Sequence, residues 1–410
     1  MCEGVAMSAT SNFFGWKVVW VAFLVAVFAW GIGFYGPSVF LQTLHATRGW
    51  SISTISAAIT VHFLFSALIV VNLPEIHHRF GIAWVTSAGA ALTGLGIVAW
   101  ANTQQPWQMF PAALLTGAGY AVTSAAAINA MVSRWFDRDR PRALSLALNG
   151  ASIGGVMFAP LLIFLISNLG LATAAFAVAI GMIALIWPLA ARFLVPAPVD
   201  LGLAPDGRTD DVASVGPLKA TLTRGQLLRD RRFVSISAAF ALGLFAQIGL
   251  FTHFIVRLSP EFGASGAAAA LSLTTICAVI GRTLLGWFIG DHDRRLAASA
   301  SFLVQAVGVL LLTFGSGVAL LALGCVLFGL GVGNLISLPP LIAQKEFERG
   351  DVGLVFALVT AINQAVFALG PAVFGLLRDA TESYVLPFAI AAAAYLTSSV
   401  IVSAGRRPTE

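Results

Sequence analysis

The sequence predicts an all-α membrane protein of twelve transmembrane helices in two pseudo-symmetric six-helix bundles, and three observations predict it. The 410-residue chain is 58% hydrophobic and 10% charged, against a charged share of roughly a quarter in soluble domains. Apolar runs close to the ~20 residues a helix needs to cross the hydrocarbon recur from end to end. The first and second halves of the chain also repeat one another around a long polar stretch.

The runs fall at 18–41, 52–73, 82–101, 111–132, 143–166, 171–191, 233–255, 267–289, 297–314, 318–342, 352–377 and 385–402. Ten-residue segments of strict alternation are absent, which excludes a β-barrel and leaves helices to satisfy their own backbone. With the N-terminus placed in the cytoplasm, nineteen of the 23 Lys and Arg residues fall on cytoplasmic segments. Arg48, Arg257 and Arg378 fall outside, and Arg282 lies within a span. This bias predicts a multi-pass protein with both termini cytoplasmic, expected in a bacterial inner (plasma) membrane. Orientation in a lipid bilayer also explains the net charge of +5, so no nucleic-acid partner is expected. Cys2, Cys277 and Cys325 lie far apart, two of them in apolar runs. They indicate neither a disulfide framework nor a metal site, and no cofactor is expected. The N-terminus lacks a basic start and a small-residue cleavage site after its first run, so that span is expected to anchor itself.

The polar stretch 196–232 carries Pro196, Pro198, Pro205 and Pro217 among Asp, Gly and Arg. It reads as a flexible cytoplasmic linker between bundles 1–195 and 233–410, with a short surface helix possible at 223–232. Phe136, Asp137 and Arg138 align with Phe347, Glu348 and Arg349, Ala147 with Leu358, and Pro160 with Pro371, all at an offset of 211. Phe28 and Ala29 align with Phe245 and Ala246 at 217. Two parallel six-helix repeats place a substrate site at the half interface near the midplane, with access alternating as the halves rock.

Over essentially its whole length the chain resembles the major facilitator superfamily, and within it the monocarboxylate and oxalate-formate branch. Three places carry the resemblance. Phe14, Gly15 and Trp16 precede span one, although Ser11 and Asn12 replace the acidic residue and glycine of the branch. The stretch from Trp135 through Arg142 to Gly150 resembles the basic start of span five. Gly281 and Arg282, with Gly286, Gly290 and Asp291, resemble the span-eight arginine and the turn after it. The chain departs from the family where Pro74 and His78 precede Arg79 and Gly81 after span two. It also lacks the glycine-proline pair of drug antiporters, since Ala159 and Pro160 are followed by Leu161 and Leu162. The resemblance implies a cytoplasmic gate of ion pairs built from Asp137, Arg138, Asp291, Arg294, Glu348 and Arg349.

Arg282 lies seven residues from the cytoplasmic end of its predicted span, about 10 Å deep at 1.5 Å per residue. Leu271, Thr275, Ala278 and Gly286 share its face at 100° per residue. A charge at that depth costs several kcal/mol unless it meets water or a partner, and the spans as drawn hold no Asp or Glu. The natural partner is a bound anion, to which a guanidinium offers two parallel donors. An arginine satisfied by backbone carbonyls is the plainer alternative. Tyr35, Tyr120, Asn129, Gln247 and Asn363 are candidates to complete the pocket, although single polar residues in spans more often bridge helices. Phe28, Trp30 and Phe367 are candidate walls. The branch implies a span-eight acid four residues before the arginine and a span-one lysine for proton coupling, but Ala278 holds the first position and span one has no lysine. His62, central in span two, is then the candidate for H+ coupling, with a plain helix-contact role as the alternative.

The expectation is a monomeric secondary transporter of a small organic anion, a lactate-like or pyruvate-like monocarboxylate, working by symport or exchange. A dicarboxylate, a larger neutral metabolite, or export rather than uptake are the alternatives on the same fold. A dianion is disfavoured by the lack of a second embedded cation. An enzyme would need clustered acids, nucleophiles or metal ligands at one depth and a sensor an output domain, and neither pattern is present.

Overall fold

The computed structural model describes residues 13–207, 221–289, 292–348 and 350–405. Among them eleven helical stretches are long and apolar enough to cross a membrane. They are α1 (Phe14–Arg48), α2 (Ile52–Val71), α3 (Ile82–Ala101), α4 (Pro106–Ser133), α5 (Arg140–Leu169) and α6 (Leu171–Phe193) before the linker. After it the stretch Arg231–Phe288 turns back at Gly263, whose φ of 69° and ψ of 169° interrupt the helix just after Pro260. That stretch therefore supplies two crossings, α7 (231–262) and α8 (264–288). The remainder are α9 (Arg294–Phe314), α10 (Val318–Glu346), α11 (Val352–Thr381) and α12 (Val385–Ala404).

The helices outrun the predicted apolar runs because amphipathic ends continue them past the hydrocarbon. These extensions bring Glu261, Glu346 and Asp379 into helical ends, where the sequence reading placed them in loops. Side chains such as Trp20, Leu68, Phe164, Trp287 and Phe288 are exposed on the outside of the bundle, as a lipid-facing surface requires. The pseudo-symmetry is visible in the irregularities. α4 breaks at Val122–Ser124 and α10 breaks at Gly333, again an offset of 211.

Within the first half α1 packs on α5, α2 on α4 and α3 on α6; within the second, α7 and α8 pack on α10, and α9 on α12. The halves meet through α2 against α11 and α5 against the α7–α8 stretch, and through the end of α1 against the same stretch. We call the end of the bundle that holds Phe13 and Gly405 the terminal face and the opposite end the far face. Far-face hydrogen bonds cross between halves: Ser53 N–H donates to Asp379 Oδ2 (2.7 Å), Ala372 N–H to Thr60 Oγ1 (2.9 Å) and Ile255 N–H to Ser38 Oγ (3.3 Å). On the terminal face Arg140 Nη2 donates to Asn129 Oδ1 (2.9 Å) and Arg294 Nη1 to Leu341 O (2.6 Å), each within its own half.

Two seals close the terminal ends of the halves. In the first, Phe13, Phe14, Trp16, Trp135 and Phe136 stack with ring centroids 4.9–5.9 Å apart. In the second, Arg295, 2% exposed, uses all five guanidinium N–H groups. Nε and Nη2 grip Glu346 at 2.6 and 2.8 Å, Nη2 also reaches Arg232 O (3.1 Å), and Nη1 reaches Ser235 Oγ (2.9 Å) and Val402 O (3.0 Å).

Where it is described, the linker is docked, and residues 208–220 of the stretch expected to be flexible lie outside the described residues. Asp206 takes the N–H groups of Asp137, Arg138 and Asp139 at the start of α5 (2.8–3.3 Å). Asp351, ahead of α11, takes Thr221 Oγ1 (2.6 Å) together with the N–H groups of Thr221 (2.7 Å) and Leu222 (2.9 Å). The Thr221 hydroxyl above all holds the Asp351 carboxyl below its usual range.

Candidate functional site

The site lies where α1, α2, α4 and α5 of one half face α7, α8, α10 and α11 of the other. Residues Ala29–Tyr35 of α1 form a π-helical segment, a widening often found at functional sites, and it ends on Tyr35. The Tyr35 ring and Thr275 of α8 meet across the half interface, with the Thr275 hydroxyl donating to Leu271 O (2.9 Å). Gly155 of α5 makes this crossing possible, since a Cβ there would lie 2.6 Å from both Thr275 Cγ2 and Tyr35 Cε2.

Arg282 is two turns further along α8, close enough to Tyr35 to interact electrostatically across the half interface. Its Nε is buried without a hydrogen-bond partner, and among the described residues no carboxylate pairs with it. Its stem is pinned by α10. A Cβ on Gly333 would sit 3.1 Å from Arg282 Nε and 3.2 Å from its Cβ. Gly329, one turn earlier, packs on Thr274 O and Cys277, so this glycine pair brings α8 and α10 into backbone contact. Gly331 instead faces Gln305 of α9.

An aromatic layer lines the site. Tyr35 meets Phe251 edge to face (5.4 Å), Phe34 meets the same ring (6.0 Å), and Phe63 meets Phe367 (5.9 Å), each pair spanning the two halves. Tyr120 packs against Trp30 (6.2 Å) and Phe63 (6.1 Å). Of the walls expected from sequence, Trp30 and Phe367 belong to this layer, whereas Phe28 packs on Phe158 of α5 (5.3 Å). Phe34, Phe63 and Phe251 were missed. Phe251 was findable, lying one helical turn from Gln247.

The other candidates are distributed unevenly. Tyr120 is electrostatically coupled to Tyr35 and joins the Arg282 site. Asn363 of α11 and Gln247 of α7 are buried, each with its side-chain oxygen unpartnered. Asn129 stands apart, one turn from the end of α4 and bonded to Arg140. His62, 2% exposed, lies inside the first half. Its Nδ1 is 2.9 Å from Thr116 Oγ1, its ring stacks on Tyr120 at 5.5 Å, and its Nε2 faces the Gly33 backbone without a hydrogen bond of ordinary geometry. A cavity of about 20 Å³ adjoins it, lined by Ile32, Phe40, Trp100 and Thr116 among others, enough for one water molecule. Of the residues taken for a gate, Asp137, Arg138 and Glu348 are exposed, and Arg294 bonds within its own half. Asp291 and Arg349 lie outside the described residues. Among the described residues no cluster of His, Cys, Asp or Glu could hold a metal ion.

A sequence model of the Major Facilitator Superfamily matches residues 19–292 and 254–410. Monocarboxylate transporter 13 of Rattus norvegicus is 27% identical over 329 residues, covering 79% of this chain and 73% of the relative. Monocarboxylate transporter 4 of Mus musculus is 24% identical over 413 residues, covering 97% and 84%. A probable actinorhodin transporter of Streptomyces coelicolor matches at 33% over 168 residues, 38% of this chain and 29% of its own length. Among solved structures, the nucleoside transporter NupG superposes with a TM-score of 0.73 at 14% identity, covering 96% of this chain and 98% of that one. A POT family transporter in complex with 5-aminolevulinic acid gives 0.73 at 12%, covering 94% and 95%. At these identities the structures speak for the fold.

Proposed function

We propose that this chain, which belongs to the major facilitator superfamily, is a secondary transporter of small monocarboxylates whose carboxylate is bound by Arg282, a reading supported by its relatives named monocarboxylate transporters. One observation carries the reading: the Arg282 guanidinium at the half interface has a buried, unpartnered Nε, and among the described residues no carboxylate pairs with it. A bound carboxylate would supply two parallel acceptors, and the aromatic layer of Tyr35, Phe63, Phe251 and Phe367 suits a short apolar tail. Tyr35 and Tyr120 would orient the anion, and Asn363 and Gln247, with free amide oxygens, would take a substrate hydroxyl. Relatives named monocarboxylate transporters support the substrate class, and the single embedded cation favours a monoanion.

On this reading, which the charge bias supports, the terminal face lies in the cytoplasm of a bacterial plasma membrane. The conformation is then open inward, with polar bonds joining the halves at the outer face and, among the described residues, Arg140 and Arg294 each bonded within its own half at the inner one. The bundles 1–195 and 233–410 would rock as a monomer about the central site, with linker 196–232 held by Asp206 and Asp351. The test is uptake of a panel of labelled carboxylates into proteoliposomes, with and without a pH gradient. Lactate-like and pyruvate-like anions are expected to accumulate and neutral solutes not; accumulation of neutral solutes alone would sink the assignment.

His62 is the coupling candidate on this reading, because Nε2 is buried beside a water-sized cavity and the ring touches Tyr120. His62→Gln is expected to abolish pH-driven accumulation while sparing exchange of internal for external substrate. Unchanged accumulation would remove His62 from the mechanism. The pinning of Arg282 by α10 gives a further expectation. Gly333→Ala sets a Cβ against the Ala278 carbonyl and beside the guanidinium stem, so α8 and α10 must part around Arg282, at an overpacking cost of ~1–3 kcal/mol. It should raise the half-saturating substrate concentration roughly tenfold, measured on protein that still unfolds cooperatively, and unchanged saturation would show that Arg282 does not need this wall.

A further inference from the structure

We propose that His253 is a proton-binding site on the outer seam, occupied when the halves part there and empty when they meet, so that external protons hold the outer face open. The proposal rests on the orientation given above and is independent of which substrate is carried.

His253 of α7 is completely enclosed where α2, α11 and the start of α12 converge. Its Nε2 is 3.1 Å from Pro371 O and 3.3 Å from Ser56 Oγ, and its Nδ1 is 3.2 Å from the Tyr384 hydroxyl. A carbonyl only accepts, so Nε2 carries hydrogen, and the phenol is free to donate to Nδ1. The neutral ring, stacked on Phe374 at 6.2 Å, thereby fills both nitrogens without water.

The sealed seam has no place for a second proton. On Nδ1 it would point at the phenol and force that O–H to turn away. The charge would also join Arg378, which lies 5.9 Å from the Tyr384 ring centroid, and Arg257, which acts electrostatically on the same tyrosine. Glu261 faces Arg257 on α7. The nearer carboxylate, Asp379, is engaged by Ser53 N–H across the seam (2.7 Å) and by Arg378 (3.5 Å). When α2 withdraws it takes Ser53, Ser56 and Thr60 with it. Water then reaches the ring, and Asp379, released from Ser53, becomes the neighbour of an imidazolium.

Histidine changes charge within the physiological range. Opening takes up a proton, so acid favours the open form, by up to about tenfold in the open-to-sealed ratio per pH unit. His62, enclosed in the first half, is not part of this seam.

The experiment places spin labels at Ala46→Cys and Ala380→Cys, exposed at the outer ends of the two halves, with Cys2, Cys277 and Cys325 replaced by Ala. Inter-label distances are read in proteoliposomes without substrate as external pH falls from about 8 to 5. The long-distance population is expected to grow several-fold as pH falls through about 6.5. His253→Gln, whose amide still donates to Pro371, should abolish the response, Tyr384→Phe should shrink it, and His62→Gln should leave it intact. A wild type that does not respond, or a His253→Gln protein that responds like wild type, overturns the proposal. If His253→Gln does not fold, an undiminished response in Tyr384→Phe overturns it equally. Because no substrate is present, failure here is separate from failure of the carboxylate assignment.

Discussion

Arg282→Ala is expected to reduce monocarboxylate uptake to background and to weaken anion binding on the order of 100-fold or more, with the protein still folded. Hydrogen bonds to charged groups contribute ~1.5–3 kcal/mol each, and ~1.4 kcal/mol is tenfold in affinity, so loss of a two-pronged contact reaches that range. Folding should be spared because, among the described residues, the guanidinium has no acidic partner to orphan and its Nε is already unpaired. Arg282→Lys restores the charge but not the planar fork, so intermediate affinity is expected. Radiolabelled uptake together with thermal unfolding separates a lost site from a lost fold. Wild-type transport by Arg282→Ala would refute the role.

Arg295→Ala should instead cost stability. The residue beside it, Arg294, is the one that the resemblance implied for a gate, yet Arg295 is the buried member, joining α7, α9, α10 and α12 through Glu346, Ser235, Arg232 and Val402. Removing one partner of a buried ion pair costs up to ~3–5 kcal/mol because the other charge is left uncompensated, and here the 23% exposure of Glu346 lets water offset part of it. The carbonyls of Arg232 and Val402 lose their donor as well. The expected result is a markedly lower unfolding temperature in detergent, with a smaller loss for Glu346→Gln, where the amide oxygen still accepts. An unchanged unfolding temperature for Arg295→Ala would show that the seal is dispensable.

The spans and Arg282 were legible because hydropathy and depth are local properties of sequence. The one-dimensional pattern also carried the repeat, whose offset of 211 reappears in the paired breaks of α4 and α10. What the sequence hid depends on contacts between distant segments. Nothing local distinguishes Arg295 from Arg294, or announces that Asp206 will cap the start of α5. Pro and Gly in the linker signal turns, but whether turns dock depends on the N–H groups opposite them. Nothing local sets His253 apart either, because its seam is made by Ser56, Pro371 and Tyr384 from distant segments. The π-helical turn at Ala29–Tyr35 was invisible because its residues are apolar whichever way the helix winds. Asn129 was named for its depth, but it is committed to Arg140.

The central claim, that Arg282 meets a carboxylate, is tested most directly by equilibrium binding of lactate and of its neutral amide, lactamide, to the purified wild type and to Arg282→Gln. The account predicts that wild type prefers lactate on the order of 100-fold and that Arg282→Gln binds the two about equally. A variant that keeps the full preference for the anion would contradict it.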